Sequence, residues 1–222
     1  EVATGTGLIL IGPDGKNAII DGDSSSVTLT EEEVKNAIDG LKMSDYFVTG
    51  FEVPQYLSLY GAKYAHKKGM TVALNPSPIE NDKLGDLSFV DLLFINANEA
   101  NILLGRDQND KILIEEDLNL IKEKFNLNTI ILTLGEGGSA VLQGNKIEII
   151  PAVSVQSIVN TAGAGDGFMA ATIAQLVNGR SLIEAMKWAS YYAALSITIE
   201  GTIPAYRPIN EVEEFICSIK NE

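Results

Sequence analysis

Cysteine and histidine each occur only once in these 222 residues. One cysteine excludes a disulfide framework and a CxxC metal site. Cys217 sits in the apolar run Phe215-Ile216-Cys217-Ser218-Ile219, which assigns it to packing rather than to nucleophilic chemistry. His66, within Ala65-His66-Lys67-Lys68-Gly69, reads as a solvated cation at a helix C-terminus. A single histidine cannot supply a Ser-His-Asp triad or a multi-histidine metal site. Basic residues are scarce, with 16 Lys and Arg against 30 Asp and Glu, for a net charge of −14. That balance excludes an extended nucleic-acid or anionic-membrane surface, though not one phosphate held by backbone amides. No apolar run reaches membrane-spanning length and no signal-peptide pattern is present, so a cytoplasmic location is expected. The GxxxxGK[ST] spacing of a P-loop occurs nowhere, including at Gly12-Pro13-Asp14-Gly15-Lys16. Repeats, linkers and low-complexity segments are absent too. The chain opens on Glu1-Val2-Ala3-Thr4 without an initiator Met, and reads as the middle of a longer protein.

What is present is ordinary for one α/β domain: 45% hydrophobic residues, enough for a full core. Apolar runs at 8–11 and 17–20, joined by the Gly12–Lys16 turn signal, predict a hairpin. Residues 21–26 read as polar loop. Thr30 followed by Glu33 makes a capping box for a helix near 31–41. Strands and helices then alternate. Residues 46–51 form a strand ending at Glu52, and Pro54 opens a helix carrying Leu57, Tyr60 and Tyr64 on one face. Strands at 70–74 and 90–95 run into Asn75-Pro76-Ser77-Pro78 and Asn96-Ala97-Asn98-Glu99, the latter opening a helix stopped by Gly105. A helix at 115–126 presents Leu118, Ile121 and Phe125. A strand at 129–134 runs into Gly135-Glu136-Gly137-Gly138, followed by a β-ribbon at 139–142 and 146–150. The last two helices carry Leu182, Ala185, Met186, Ala189, Ala193 and Ser196, then Val212, Phe215, Ile216 and Ile219. Continuous apolar strands between helices predict a three-layer αβα fold around a mostly parallel sheet. Ligands bind such sheets beyond the carboxyl ends of the strands. Glu52, Asn75, Asn96 with Glu99, and Thr133 with Gly135 each end a strand, and are expected on one rim.

The stretch Val159-Asn160-Thr161-Ala162-Gly163-Ala164-Gly165-Asp166-Gly167-Phe168 reads as loop into helix, the helix showing Met169, Ile173, Leu176 and Val177 on one side. By itself it supports two readings, a glycine turn capped by an aspartate or a phosphate cradle with a carboxylate beside it. The polar strand ends tip it towards the cradle. The chemistry that fits is phosphoryl transfer, which needs positioning, dipolar stabilisation and a base for the attacking hydroxyl. The helix start at Gly163–Gly165 would supply the dipole and Asp166 the base. Glu99 would hold Mg²⁺, directly or through water, while Asn96 donates to phosphate oxygens.

These motifs, in this order, resemble the ribokinase-like carbohydrate kinases over nearly the whole chain. Gly163-Ala164-Gly165-Asp166 resembles the family's GAGD anion hole and catalytic base. Asn96-Ala97-Asn98-Glu99 resembles its NxxE magnesium and phosphate motif, and Thr133-Leu134-Gly135-Glu136-Gly137-Gly138 its nucleotide-binding TLGxxG turn. Leu74-Asn75-Pro76-Ser77-Pro78 is similar to the LNPAP segment, and Phe51-Glu52-Val53-Pro54 to the place of a sugar-contacting glutamate. The resemblance implies an ATP-dependent kinase acting on a primary hydroxyl of a pentose or related sugar, with Glu52 and Asp166 facing substrate. It implies Ser190 beside the adenine. It further implies an activating potassium-type site at Asn160, Ala162, Ser196, Ile199 and Gly201, where Asn160 replaces the family's usual Asp. The hairpin at 6–21 corresponds to a remnant lid ribbon and a homodimer contact, and the family's N-terminal GGxxxN portion is missing. An adenosine- or pseudouridine-type nucleoside kinase and a catalytically silent nucleotide-binding module remain alternatives. A Rossmann dehydrogenase does not, because no first βαβ unit precedes the glycines and no acidic residue follows at the required strand end.

Overall fold

The computed structural model describes residues 4–11, 17–21, 25–41 and 46–220. The expected hairpin turn at 12–16 and the chain start lie outside them. The fold is three-layer α/β with a mostly parallel six-stranded sheet, and the chain divides into two compact units, 1–79 and 80–222.

In the first unit, β1 (Gly7–Ile11) and β2 (Asn17–Asp21) form the expected antiparallel ribbon, with Leu8 opposite Ile20 and both about half exposed. Helix α1 (Glu31–Gly40) starts where the capping box predicted: Glu33 N–H donates to Thr30 Oγ1, and Glu33 Oε2 accepts from the Thr30 N–H. Strands β3 (Tyr46–Gly50) and β4 (Thr71–Asn75) run parallel, joined through α2 (Gln55–Lys67). A Cβ on Gly61 of α2 would stand 3.1 Å from both the Phe47 ring and Val34, so glycine lets α2 lie close to β3 and α1. His66 is exposed in the last turn of α2, as expected. The register sets Gly50 opposite Asn75, and the Phe51 N–H donates to the Ser77 carbonyl at 3.0 Å, joining the two strand ends.

In the second unit the strands lie in the order β5 (Leu92–Asn96), β6 (Thr129–Thr133), β7 (Ser139–Gln143), β8 (Lys146–Ile150). The first pair is parallel and the others antiparallel, the ribbon the sequence predicted. Strands β5 and β6 are buried along almost their full length, which is why they read as unbroken apolar runs. Helices α3 (Ala97–Leu103) and α4 (Ile114–Phe125) pack beside them, with Leu103, Leu118 and Ile121 fully buried. Asp117 is buried as well, held by Arg106 at 2.6 Å and by the Leu113 N–H at 2.8 Å, so its charge is paired at the start of α4.

The long helices α5 (Ala164–Val177), α6 (Leu182–Ser196) and α7 (Ile209–Lys220) complete the unit. Two expectations are corrected here. Val177 is exposed, and α5 instead buries Gly167, Phe168, Ala171, Thr172 and Gln175 along with Met169 and Ile173. Its small residues let α6 approach closely, and periodicity of large apolar residues does not register such a face. Cys217 is exposed rather than packed, because α7 turns Val212 inward and Cys217 outward. Among the described residues no helix is long and apolar enough to cross a membrane.

Candidate active site

Asn96 is the last residue of β5 and Thr133 the last of β6, and the parallel register sets them side by side. Asn96 is also the N-cap of α3. Its Oδ1 accepts from the Glu99 N–H at 2.9 Å, and Glu99 Oε2 accepts from the Asn96 N–H at 2.8 Å. This reciprocal capping box went unrecognised in the sequence, where the same two residues were read only as ligands. Its consequence is chemical. Glu99 is held by the cap and its side chain is buried, whereas Asn96 is exposed and no described residue accepts from its Nδ2 amide. Among the described residues no three acidic, His or Cys side chains cluster as a metal site. A single carboxylate nevertheless suits Mg²⁺ that arrives with phosphates and retains its waters.

Beyond β6 the chain turns through Gly135-Glu136-Gly137, and Gly138 takes φ +85. A Cβ there would stand 2.2 Å from the Ile150 carbonyl oxygen and 2.6 Å from the Ala152 nitrogen, so only glycine lets the turn lie on the end of β8. Thr133 is half-buried and its Oγ1 donates to the Ile95 carbonyl at 3.4 Å, tying β6 to β5 at this rim.

The start of α5 is the third component. Gly163 precedes it with φ +78, and a Cβ there would fall 2.5 Å from Tyr206 Oη and from Thr202 Cγ2. The Gly163 carbonyl accepts from the Gly167 N–H at 2.8 Å. The Ala164 N–H is already donated to the Thr161 carbonyl at 3.2 Å, so it is not the open donor expected of it. The N–H groups of Gly165 and Asp166 have no acceptor among the described residues. These two, with the helix dipole behind them, are the donors this helix start could offer an anion. Asp166 is exposed in the first turn.

A cavity of about 680 Å³ joins these parts. Asn96, Thr133, Leu134, Gly135, Glu136 and Gly138 line one side, and Ala164, Gly165 and Ser190 the other. Gly137, Glu99, Gly163 and Asp166 flank it without lining it. Much of its remaining wall was missed in the sequence: Ala152, Val153, Ser154, Val155 and Ile158 from the segment after β8, with Phe168, Ala193, Ala194 and Ile197 from α5, α6 and the residue after it. The available signal was an apolar Val153, Val155 and Ile158 in a segment with no strand or helix pattern. Ser190 Oγ donates to the Met186 carbonyl at 3.0 Å, leaving it only an acceptor to offer a ligand.

Of the residues expected at a monovalent cation, Asn160 Oδ1 accepts from the Ala162 N–H at 2.9 Å, and the N–H groups of Val159 and Asn160 donate to the Ile197 carbonyl. This lays Asn160 beside Ile197, which follows the end of α6 and neighbours Ser196 and Ile199 in sequence. Ser196 Oγ donates to the Ala193 carbonyl within its own helix, and Gly201 has φ +86. Glu52 lies in the other unit, exposed just after β3.

A family profile described as pfkB family carbohydrate kinase matches residues 1–209. The chain belongs to that family. It is a carbohydrate kinase, a phosphotransferase with an alcohol group as acceptor. A ribokinase from Dictyostelium discoideum is 31% identical over 228 residues, covering 96% of this chain and 72% of the relative. Among solved structures, ribokinase from Thermotoga maritima superposes with a TM-score of 0.84 at 25% identity, covering 97% of this chain and 70% of that one. Ribokinase from Arabidopsis thaliana, solved with ribose and ATP, gives 0.80 at 24% identity, covering 96% and 69%.

Proposed function

We propose that this carbohydrate kinase moves the γ-phosphoryl of ATP to a primary hydroxyl of a pentose or related sugar. The observation that carries this reading is the cavity whose wall ends on the first turn of α5, where the Gly165 and Asp166 N–H groups stand open beside a carboxylate. The apolar wall of Val153, Val155, Ile158 and Ala194 suits a purine, with Ser190 at its edge. The turn at 133–138 and the Asn96 amide would lie along the phosphates. Asp166 takes the proton of the acceptor hydroxyl as its oxygen attacks the γ-phosphorus. The bond from that phosphorus to the β–γ bridging oxygen breaks, and ADP leaves with the electron pair. The open amides of α5 meet the charge on the moving phosphoryl. Mg²⁺, when bound, would be held through Glu99 by way of water, and supplies neutralisation of the phosphate charge.

The ribokinase identity of a relative 31% identical to this chain supports a pentose acceptor. The cation residues supply only neutral oxygens, since Asn160 carries no charge, so potassium activation is expected to be weak. The exposed Leu8, Leu10 and Ile20 of the ribbon suit a homodimer contact, and the enzyme would work in the cytoplasm.

A substrate panel tests the assignment. With Mg·ATP, coupled ADP release is expected to be greatest with ribose or a close pentose. Greater release with adenosine or pseudouridine would replace the acceptor class. No release with any acceptor would remove the catalytic reading and leave a nucleotide-binding module.

A further inference from the structure

Tyr206 lies in the segment between α6 and α7, forty-three residues beyond Gly163, and no motif marks it. Its Oη donates to the Gly163 carbonyl at 2.9 Å. That oxygen also receives the Gly167 N–H, so the hydroxyl binds the same peptide that closes the first turn of α5. The ring lies across that turn: a Cβ on Gly167 would meet Tyr206 Cε1 at 3.2 Å and the Tyr192 ring at 3.1 Å. Behind it stand Tyr192, 6.3 Å between ring centroids, and Trp188, a further 6.0 Å along. Both belong to α6, so the column connects a packed helix to the helix start that presents the open amides.

We infer that Tyr206 is a positioning residue for phosphoryl transfer, its hydroxyl holding the Gly163 peptide so that the Gly165 and Asp166 N–H groups and the Asp166 carboxylate keep their aim. The inference rests on the reading of the α5 start as the phosphoryl site. Two features of the turn give the clamp something to do. Gly163 has no side chain with which to cap the helix, and its positive φ sits in a region that glycine reaches freely and can leave as freely. The hydroxyl and the Thr202 methyl fill the space where a side chain would otherwise fix the turn. Burial, and then the neighbouring Asp166 carboxylate, push the Tyr206 phenol above its ordinary pKa, so it stays a donor throughout the neutral range.

Tyr206→Phe removes the hydroxyl and keeps the ring stack. In steady-state kinetics with the full chain, kcat is expected to fall about tenfold while KM for ATP stays within about twofold, because misaimed donors are felt chiefly in the transition state. Tyr192→Phe, which changes a hydroxyl in the same column without touching Gly163, is expected to leave kcat unchanged. A Tyr206→Phe enzyme with wild-type kcat would overturn the inference alone. A lowered melting temperature with kcat per folded molecule intact would also overturn it, since the bond would then be purely structural. Absence of phosphoryl transfer by the wild type would instead remove the reading of the site, and this inference with it.

Discussion

Asp166→Asn is expected to lower kcat for sugar phosphorylation by about 10²–10⁴-fold, the range for loss of a general base. The substitution is close to isosteric and leaves the α5 N–H groups in place, so ATP binding should change little. The predicted signature is therefore a collapse in kcat at nearly constant Kd for ATP, measured by a coupled assay and by calorimetry. Asp166 is exposed and its carboxylate has no hydrogen bond to a described residue, so a stability effect should not mask the result. A variant that retained near-normal kcat would show that another group accepts the proton.

The second large effect is expected at the turn that follows β6. Gly138→Ala must place a methyl 2.2 Å from the Ile150 carbonyl oxygen and 2.8 Å from the Pro151 carbonyl carbon, at φ +85 and ψ −131. Both neighbours are backbone, so relief requires moving the turn off the end of β8. Strain and overlap together are expected to cost roughly 2–5 kcal/mol. For a chain of this size that lowers the melting temperature by about 10 °C. ATP affinity should fall too, because Leu134, Gly135 and Gly138 line the cavity. Gly144→Ala is the control. It shares a positive φ of +60 but its Cβ would meet nothing within 4 Å, so it should cost only about 1 kcal/mol. Equal losses at both positions would mean that conformation alone, and not the contact with β8, fixes glycine at 138.

Much of this was legible in the chain. Strands β5 and β6 announce themselves as apolar runs because both their faces are covered, and Thr30 with Glu33 marks the start of α1 to the residue. The motifs at 96–99, 133–138 and 163–166 were found because each joins a strand end or a helix start to unusual small or polar residues. What escaped has a physical reason in each case. Asn96 and Glu99 form the same capping pattern as Thr30 and Glu33, but an apparent ligand role obscured the local one. The buried side of α5 is built partly from Gly167, Ala171 and Thr172, whose burial depends on α6 and leaves no hydrophobic period. The Ala164 N–H is consumed by Thr161 through a turn whose geometry no residue type dictates. Tyr206 reaches Gly163 across forty-three residues, a contact that only the tertiary fold creates.

In the proposed reaction the first turn of α5 receives the phosphoryl group that moves. A crystal structure of the protein with Mg²⁺ and a non-hydrolysable ATP analogue tests it directly. The base is expected against Val155, Ile158 and Ala194, and the γ-phosphate within hydrogen-bond distance of the Gly165 and Asp166 N–H groups, with the Asn96 amide on the phosphate chain. An analogue bound in this cavity with its γ-phosphate turned away from α5, or bound elsewhere on the protein, would contradict it.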